Sequence, residues 1–154
     1  MSYAGDLTPQ QAWDKVAAGG VLVDVRTEAE WQVIGVPDIS SLSAGNAPVE
    51  PVFLQWNLAG NVKNPQFLAE LQATVPAEAE LVFLCRSGAR SVAAAEAATA
   101  AGYTSYNVLE GFEGVPNGYG DRTVNGWKNS SLPWNTSWSA SGATAGTGVG
   151  EKNA

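Results

Sequence analysis

The chain carries one cysteine, Cys85, and no histidine, and those two counts narrow its chemistry before any fold is considered. Without an imidazole there is no Ser-His-Asp triad, no Cys-His dyad and no histidine metal ligand. A lone thiol excludes an internal disulfide framework and a multi-cysteine zinc or iron–sulfur centre, so neither a metal nor a cofactor is expected. Cys85 is then either a small buried hydrophobe or a reactive thiol. Its surroundings are Cys85-Arg86-Ser87-Gly88-Ala89-Arg90-Ser91, a short run with a glycine, two hydroxyls and two arginines. If the sulfur is a nucleophile, no imidazole activates it. Its thiolate must be stabilised by loop N–H groups, a helix N-terminus and the nearby arginines, all of which favour the charged form.

The elements around this run are those that would position such a thiol. Leu81-Val82-Phe83-Leu84 is an apolar stretch of the length of a strand buried on both faces, and an alanine-rich helical pattern runs from Ser91 to about Ala101. The layout is strand, tight loop, helix. A residue at the end of a parallel strand sits where open α/β sheets place ligands. Upstream, Thr8-Pro9-Gln10-Gln11 reads as an N-cap, a first-position proline and the second half of a capping box, predicting a helix from Pro9 to Ala18. Val21 to Val25 reads as a core strand, and Thr27-Glu28-Ala29-Glu30 as a second capping box opening a helix toward Val33. Asp24 and Arg26 fall near that strand's end, where the preferred reading is a structural pair of charges fixing the turn.

From Gly35 to Pro51 the chain is rich in Ser, Pro, Gly and Asn and reads as a long connection able to form one wall of a site. Val52 to Trp56 reads as a strand. Asn64-Pro65 opens a helix whose Phe67, Leu68 and Leu71 are expected to face a sheet, with Val75-Pro76 ending it. Ser105 to Leu109 is a further strand. The loop Glu110-Gly111-Phe112-Glu113-Gly114 leaves it on the same edge as Cys85 if the strands are parallel, and so borders the site. A last short helix begins near Trp127, and Trp127, Trp134 and Trp138 read mainly as cover for the edge of the core.

Strands alternating with helices imply an α/β fold, a central parallel sheet flanked by helices on both faces. The length suits one domain, residues 1–138, and the Ala/Gly/Ser/Thr-rich residues 139–154 read as a disordered tail. The net charge of −7 argues against nucleic acid or an anionic membrane as partner. No apolar run is long enough to cross a bilayer and the first residues lack the features of a secretory signal, so a cytoplasmic monomer is expected.

The loop from Cys85 to Arg90 with Ser91 resembles the active-site loop of the rhodanese (sulfurtransferase) superfamily. Lesser resemblances are Val23-Asp24-Val25-Arg26 followed by Glu30-Trp31, Tyr106-Asn107-Val108 leading to Glu110-Gly111-Phe112, and Gly126-Trp127. One departure is Gly35-Val36-Pro37-Asp38, which stands where the superfamily usually carries a histidine. The resemblance implies a rhodanese-like fold, Cys85 as the catalytic residue, and Arg86, Ser87, Gly88, Ala89, Arg90 and Ser91 as the cradle for an anionic substrate. It further implies that Cys85 takes a sulfane sulfur from a small anionic donor such as thiosulfate and passes it, as a persulfide, to cyanide or a thiol. With no second cysteine, that acceptor must be external.

Two other readings stay open on the sequence. A rhodanese-like module without catalysis, binding a partner or sensing sulfur species, is one, because a fold does not fix a function. A cysteine phosphatase is the other and fits less well. Such loops grip phosphate with an arginine six residues after the cysteine, where this chain has Ser91.

Overall fold

A computed structural model describes residues 2–42 and 49–139; the tail expected over residues 139–154 lies, apart from Ser139, outside the described residues. In chain order the elements are strand β1 (Gly5–Leu7), helix α1 (Pro9–Ala17), strand β2 (Val21–Asp24), helix α2 (Glu28–Val33), strands β3 (Val36–Pro37), β4 (Val52–Phe53), β5 (Asn57–Leu58) and β6 (Val62–Lys63), helix α3 (Phe67–Thr74), strand β7 (Glu80–Leu84), helix α4 (Ala89–Ala100), strand β8 (Thr104–Val108), a single 3-10 turn (Trp127–Asn129) and strand β9 (Trp134–Asn135).

Five strands form one sheet in the order β1-β8-β7-β2-β4, every pair parallel. The strand that ends at Cys85 therefore lies in the middle, covered on both faces. Alternation along it sends side chains to two separate cores. Leu81, Phe83 and Cys85 join Val23 and Val25 of the β2 segment, Phe67 and Leu71 of α3 and Ala94, Ala95 and Ala98 of α4. Val82 and Leu84 join Leu22, Val108, Ala12 and Val16 of α1, Phe112 and Trp127 on the other face. Leu81 through Leu84 are wholly buried. Each contributes about 1.5–3 kcal/mol by leaving water, so the strand carrying the thiol is among the most firmly anchored parts of the chain. The α/β fold with helices on both faces is the one expected from the sequence.

Local signals set several boundaries. Both capping boxes form: Thr8 Oγ1 accepts from Gln11 N at 3.1 Å while Gln11 Oε1 accepts from Thr8 N at 2.9 Å, and Thr27 and Glu30 repeat the exchange. Val75 is extended, as a residue before proline must be, and α3 stops there. Other expectations need correction. Leu68 is 37% exposed, because in the short α3 the inward stripe is the i, i+4 pair Phe67 and Leu71, one step round from it. The strand expected over Val52 to Trp56 is only Val52–Phe53, although Leu54 N and Trp56 N continue to donate to Asp24 O and Val25 O. Helix α4 starts at Ala89 rather than Ser91, since Gly88 already stands as its N-cap. The edge strand β1, the hairpin β5–β6 and the β3–β9 pair have no counterpart among the expected elements; pieces of two or three residues carry no readable period. The connection after Gly35 thus begins with a strand, and residues 43–48 of it lie outside the described residues. Trp127 is fully buried, and Trp138 packs on Trp31 and Phe53, as cover for the core requires.

Candidate active site

At the end of β7 the chain leaves the sheet at Cys85, which is 1% exposed, and three residues later Gly88 caps α4. The turn between them depends on that glycine. Its φ of 121° lies where side chains are rarely tolerated, and its N–H donates to the Cys85 sulfur, 3.1 Å away. A sulfur held by an N–H at the start of a helix sits in the positive end of the helix dipole, where negative charge is favoured.

Ser91, in the first turn of α4 and fully buried, places Oγ 3.2 Å from the same sulfur. The hydroxyl is also 3.1 Å from Gly88 O and 2.5 Å from Asn107 Oδ1, to both of which it can donate. Register explains the encounter with Asn107. Phe83 of β7, Asn107 of β8 and Asp6 of β1 are successive partners across the sheet and share the face on which Cys85 and α4 lie.

The two loop arginines are both engaged by carboxylates. Arg90 forms a forked pair with Glu30, Nη1 to Oε1 at 2.8 Å and the second Nη to Oε2 at 3.0 Å. Burial works to raise the Glu30 carboxyl, but hydrogen bonds from Arg90 and from Thr27 N–H more than reverse it, so it lies below its ordinary range. For Arg90, burial disfavours the charge, and Glu30, with smaller contributions from Cys85 and Asp24, outweighs that and holds the guanidinium charged. Arg86 places Nε 3.2 Å from Glu113 Oε2, with its side chain 46% exposed. Of the remaining loop residues, Ser87 is half-buried, and Ala89 is exposed at the first position of α4.

The loop after β8 does border this site. Phe112 N donates to Cys85 O at 2.7 Å and Glu113 N to Arg86 O at 3.0 Å, clamping residues 110–114 onto the cysteine's backbone. Gly111 makes this contact possible: a Cβ there would run into the carbonyls of Cys85 and Arg86. Beside it, Asp24 and Arg26 form the expected structural pair. Both are wholly buried, joined through Arg26 Nη2 to Asp24 Oδ2 at 2.7 Å and Nε to Oδ1 at 2.9 Å, with Nη2 also on Gly35 O and the guanidinium stacked over Phe112. The segment lacking the usual histidine is thereby tied to this pair and, through β3, to β9.

Sequence reasoning brings Cys85, Gly88 and Ser91 together and does not find Glu30, Glu113, Asn107 or Asp6. Glu30 is visible there as a capping residue and as part of a resembling motif, with no link to Arg90. Asn107 carries a signal, a polar side chain inside an otherwise apolar strand, which by itself asks for a buried partner. Asp6 carries none.

Known proteins share this arrangement of strand, loop and helix. The sequence matches the family model of the rhodanese-like domain over residues 8–116. An uncharacterized protein of Rickettsia conorii is 38% identical over 114 residues, spanning 73% of this chain and 80% of its own, and a Rickettsia prowazekii relative is 35% identical over the same length. Among solved structures, Rv0390 of Mycobacterium tuberculosis superposes with a TM-score of 0.79 at 48% identity, covering 87% of this chain and 98% of that one. A polysulfide-sulfur transferase homodimer from Wolinella succinogenes has a TM-score of 0.50 at 22% identity over 71% of this chain and 70% of its own, a likeness of fold.

Proposed function

The chain belongs to the rhodanese-like domain family, and from that premise we propose that it is a sulfurtransferase of the thiosulfate type working through a Cys85 persulfide. The observation that carries the reading is the contact of Gly88 N–H with the sulfur of the sole cysteine at the start of α4. A thiol there needs no base to be reactive, which accords with a chain that has no histidine.

In the proposed first step the Cys85 thiolate attacks the outer sulfur of thiosulfate. A Cys85 S–S bond forms, the donor's S–S bond breaks, and sulfite leaves with the electron pair. The persulfide's terminal sulfur then carries the negative charge, among the loop amides and the first turn of α4. In the second step cyanide or an external thiolate attacks that sulfur, the new S–S bond breaks, and Cys85 returns as thiolate. Arg86, half in solvent, is free to leave Glu113 and meet the anionic donor, and Arg90, whose charge Glu30 partly offsets, adds positive potential beside the loop. The phosphatase alternative fits less well, since Ser91 stands in the position of the arginine such a loop needs to grip phosphate.

Among the described residues no helix is long and apolar enough to cross a membrane. A small donor and acceptor, a single unpaired thiol and an acidic surface fit a protein working in the cytoplasm without nucleic acid or membrane. The test is mass spectrometry of intact protein desalted quickly after thiosulfate treatment. One added sulfur atom is expected on the peptide containing Cys85, lost on adding cyanide. No such adduct, even after acid quenching, with thiosulfate left unconsumed, would favour a binding module instead.

A further inference from the structure

We infer that Asp6, on the edge strand β1, is a positioning residue that acts on Cys85 through Asn107 and Ser91 by fixing which way the Ser91 hydroxyl points. Counting protons along the row sets each direction. A carboxylate only accepts, so the 3.0 Å contact between Asp6 Oδ1 and the Asn107 amide must be made by the amide's NH2. The amide oxygen then faces Ser91, at 2.5 Å, and can only accept. Ser91 has one proton, and Asn107 Oδ1 claims it, with Gly88 O as a second acceptor at 3.1 Å. What Ser91 offers the sulfur at 3.2 Å is a lone pair, and Gly88 N–H is the donor left to Cys85.

An amide cannot pass a proton along, so this chain of contacts transmits orientation. It runs from β1 to β8 and then through Ser91 of α4 to the residue that follows β7, from an exposed carboxylate to a buried thiol, and Tyr3 OH steadies its outer end by donating to Asp6 at 2.8 Å. The charges near the sulfur include the Arg90–Glu30, Arg86–Glu113 and Arg26–Asp24 pairs, each a cation beside an anion. Resting on the sulfur-transfer reading, the consequence is kinetic. A thiolate denied the Ser91 proton is less stabilised and so a stronger nucleophile, while the inner sulfur of a persulfide is neutral and needs no such donor.

The lone cysteine makes the test clean: the rate of iodoacetamide alkylation against pH reports Cys85 alone. Asp6→Asn is isosteric and exposed. An asparagine there can turn its NH2 toward Asn107, letting that amide flip and releasing the Ser91 proton to the sulfur. The alkylation profile should move to lower pH, with about fivefold more thiolate on its rising limb, as one redirected hydrogen bond allows. Asp6→Ala should act in the same direction. Loss of a negative charge would also move the profile, so the decision lies in the Ser91→Ala background. There the Asp6→Asn shift should vanish. An equal shift with and without Ser91 would mean a through-space charge effect, and no shift in either Asp6 variant would mean no coupling; both overturn the inference. Because alkylation needs no sulfur donor, a coupling seen in a protein that never forms the persulfide would sink the transfer reading and leave the positioning role standing.

Discussion

Strands β2 and β7 are parallel neighbours in register, Asp24 opposite Leu84, and both leave the sheet at the same edge toward a helix. Their exits are built on opposite principles. Beyond β2 lies a buried arrangement: a carboxylate and a guanidinium, both without solvent exposure, joined through parallel hydrogen bonds and covered by Gly35 O and the Phe112 ring, with Arg26 Nη1 left without a hydrogen-bond partner. Beyond β7 lies a thiol with one amide donor, one hydroxyl shared three ways and a half-exposed arginine. Charges that are buried and matched to each other hold a turn in place and have little left to offer a ligand. A polarisable atom with weak partners has its chemistry still to do.

Breaking each end should therefore damage a different property. The largest effect is expected from Cys85→Ser, which should abolish thiosulfate:cyanide transfer while leaving the melting temperature nearly unchanged; full activity in this variant would remove the mechanism. Arg26→Met should do the reverse. Leaving Asp24 buried without its partner costs about 3–5 kcal/mol, on the order of 10 °C in Tm for a domain of this size, measurable by thermal unfolding. A shift within a degree or two would mean that the pair is dispensable to the turn.

A smaller effect separates the loop's own arginine from its partner. Glu30→Gln keeps an acceptor for the α2 cap but removes the charge that engages Arg90. Use of thiosulfate should improve, a KM lower by about two- to fivefold, as release of a partly exposed ion pair allows, whereas Arg90→Ala should raise it. An unchanged KM in both variants would show that Arg90 has no part in meeting the donor.

The smallest concerns acid. The Glu30 carboxyl is held below its ordinary range when folded, so its contribution to stability is full at neutral pH and is lost as pH falls through the folded value. The Tm difference between wild type and Glu30→Gln should be constant above about pH 5 and shrink below about pH 4. A difference that grows in acid would reverse the assigned direction.

How much of this is legible in the sequence depends on the range of each interaction. Capping boxes at Thr8 and Thr27, the proline stop after Val75, the four apolar residues before Cys85 and the glycine three residues after it are local patterns, and they suffice for the fold class and the place of the thiol. Boundaries slip where a pattern is too short or its neighbour decides it, as with the start of α4 at Ala89 and the outward turn of Leu68. The arginine partners are beyond reach: Glu30 lies sixty positions from Arg90, and nothing in either stretch names the other.

Residue types and their order are enough to say that Cys85 is a lone thiol without imidazole, set between a buried strand and a helix. How that thiol is addressed came only with the packed sheet. The parallel register of β1, β8 and β7 lines up Asp6, Asn107 and Phe83, and the packing of α4 on that face brings Ser91 to the sulfur. Hydrogen bonds act over about 3 Å, and Asp6 and Asn107, 101 positions apart, come within that distance only when the whole sheet has formed.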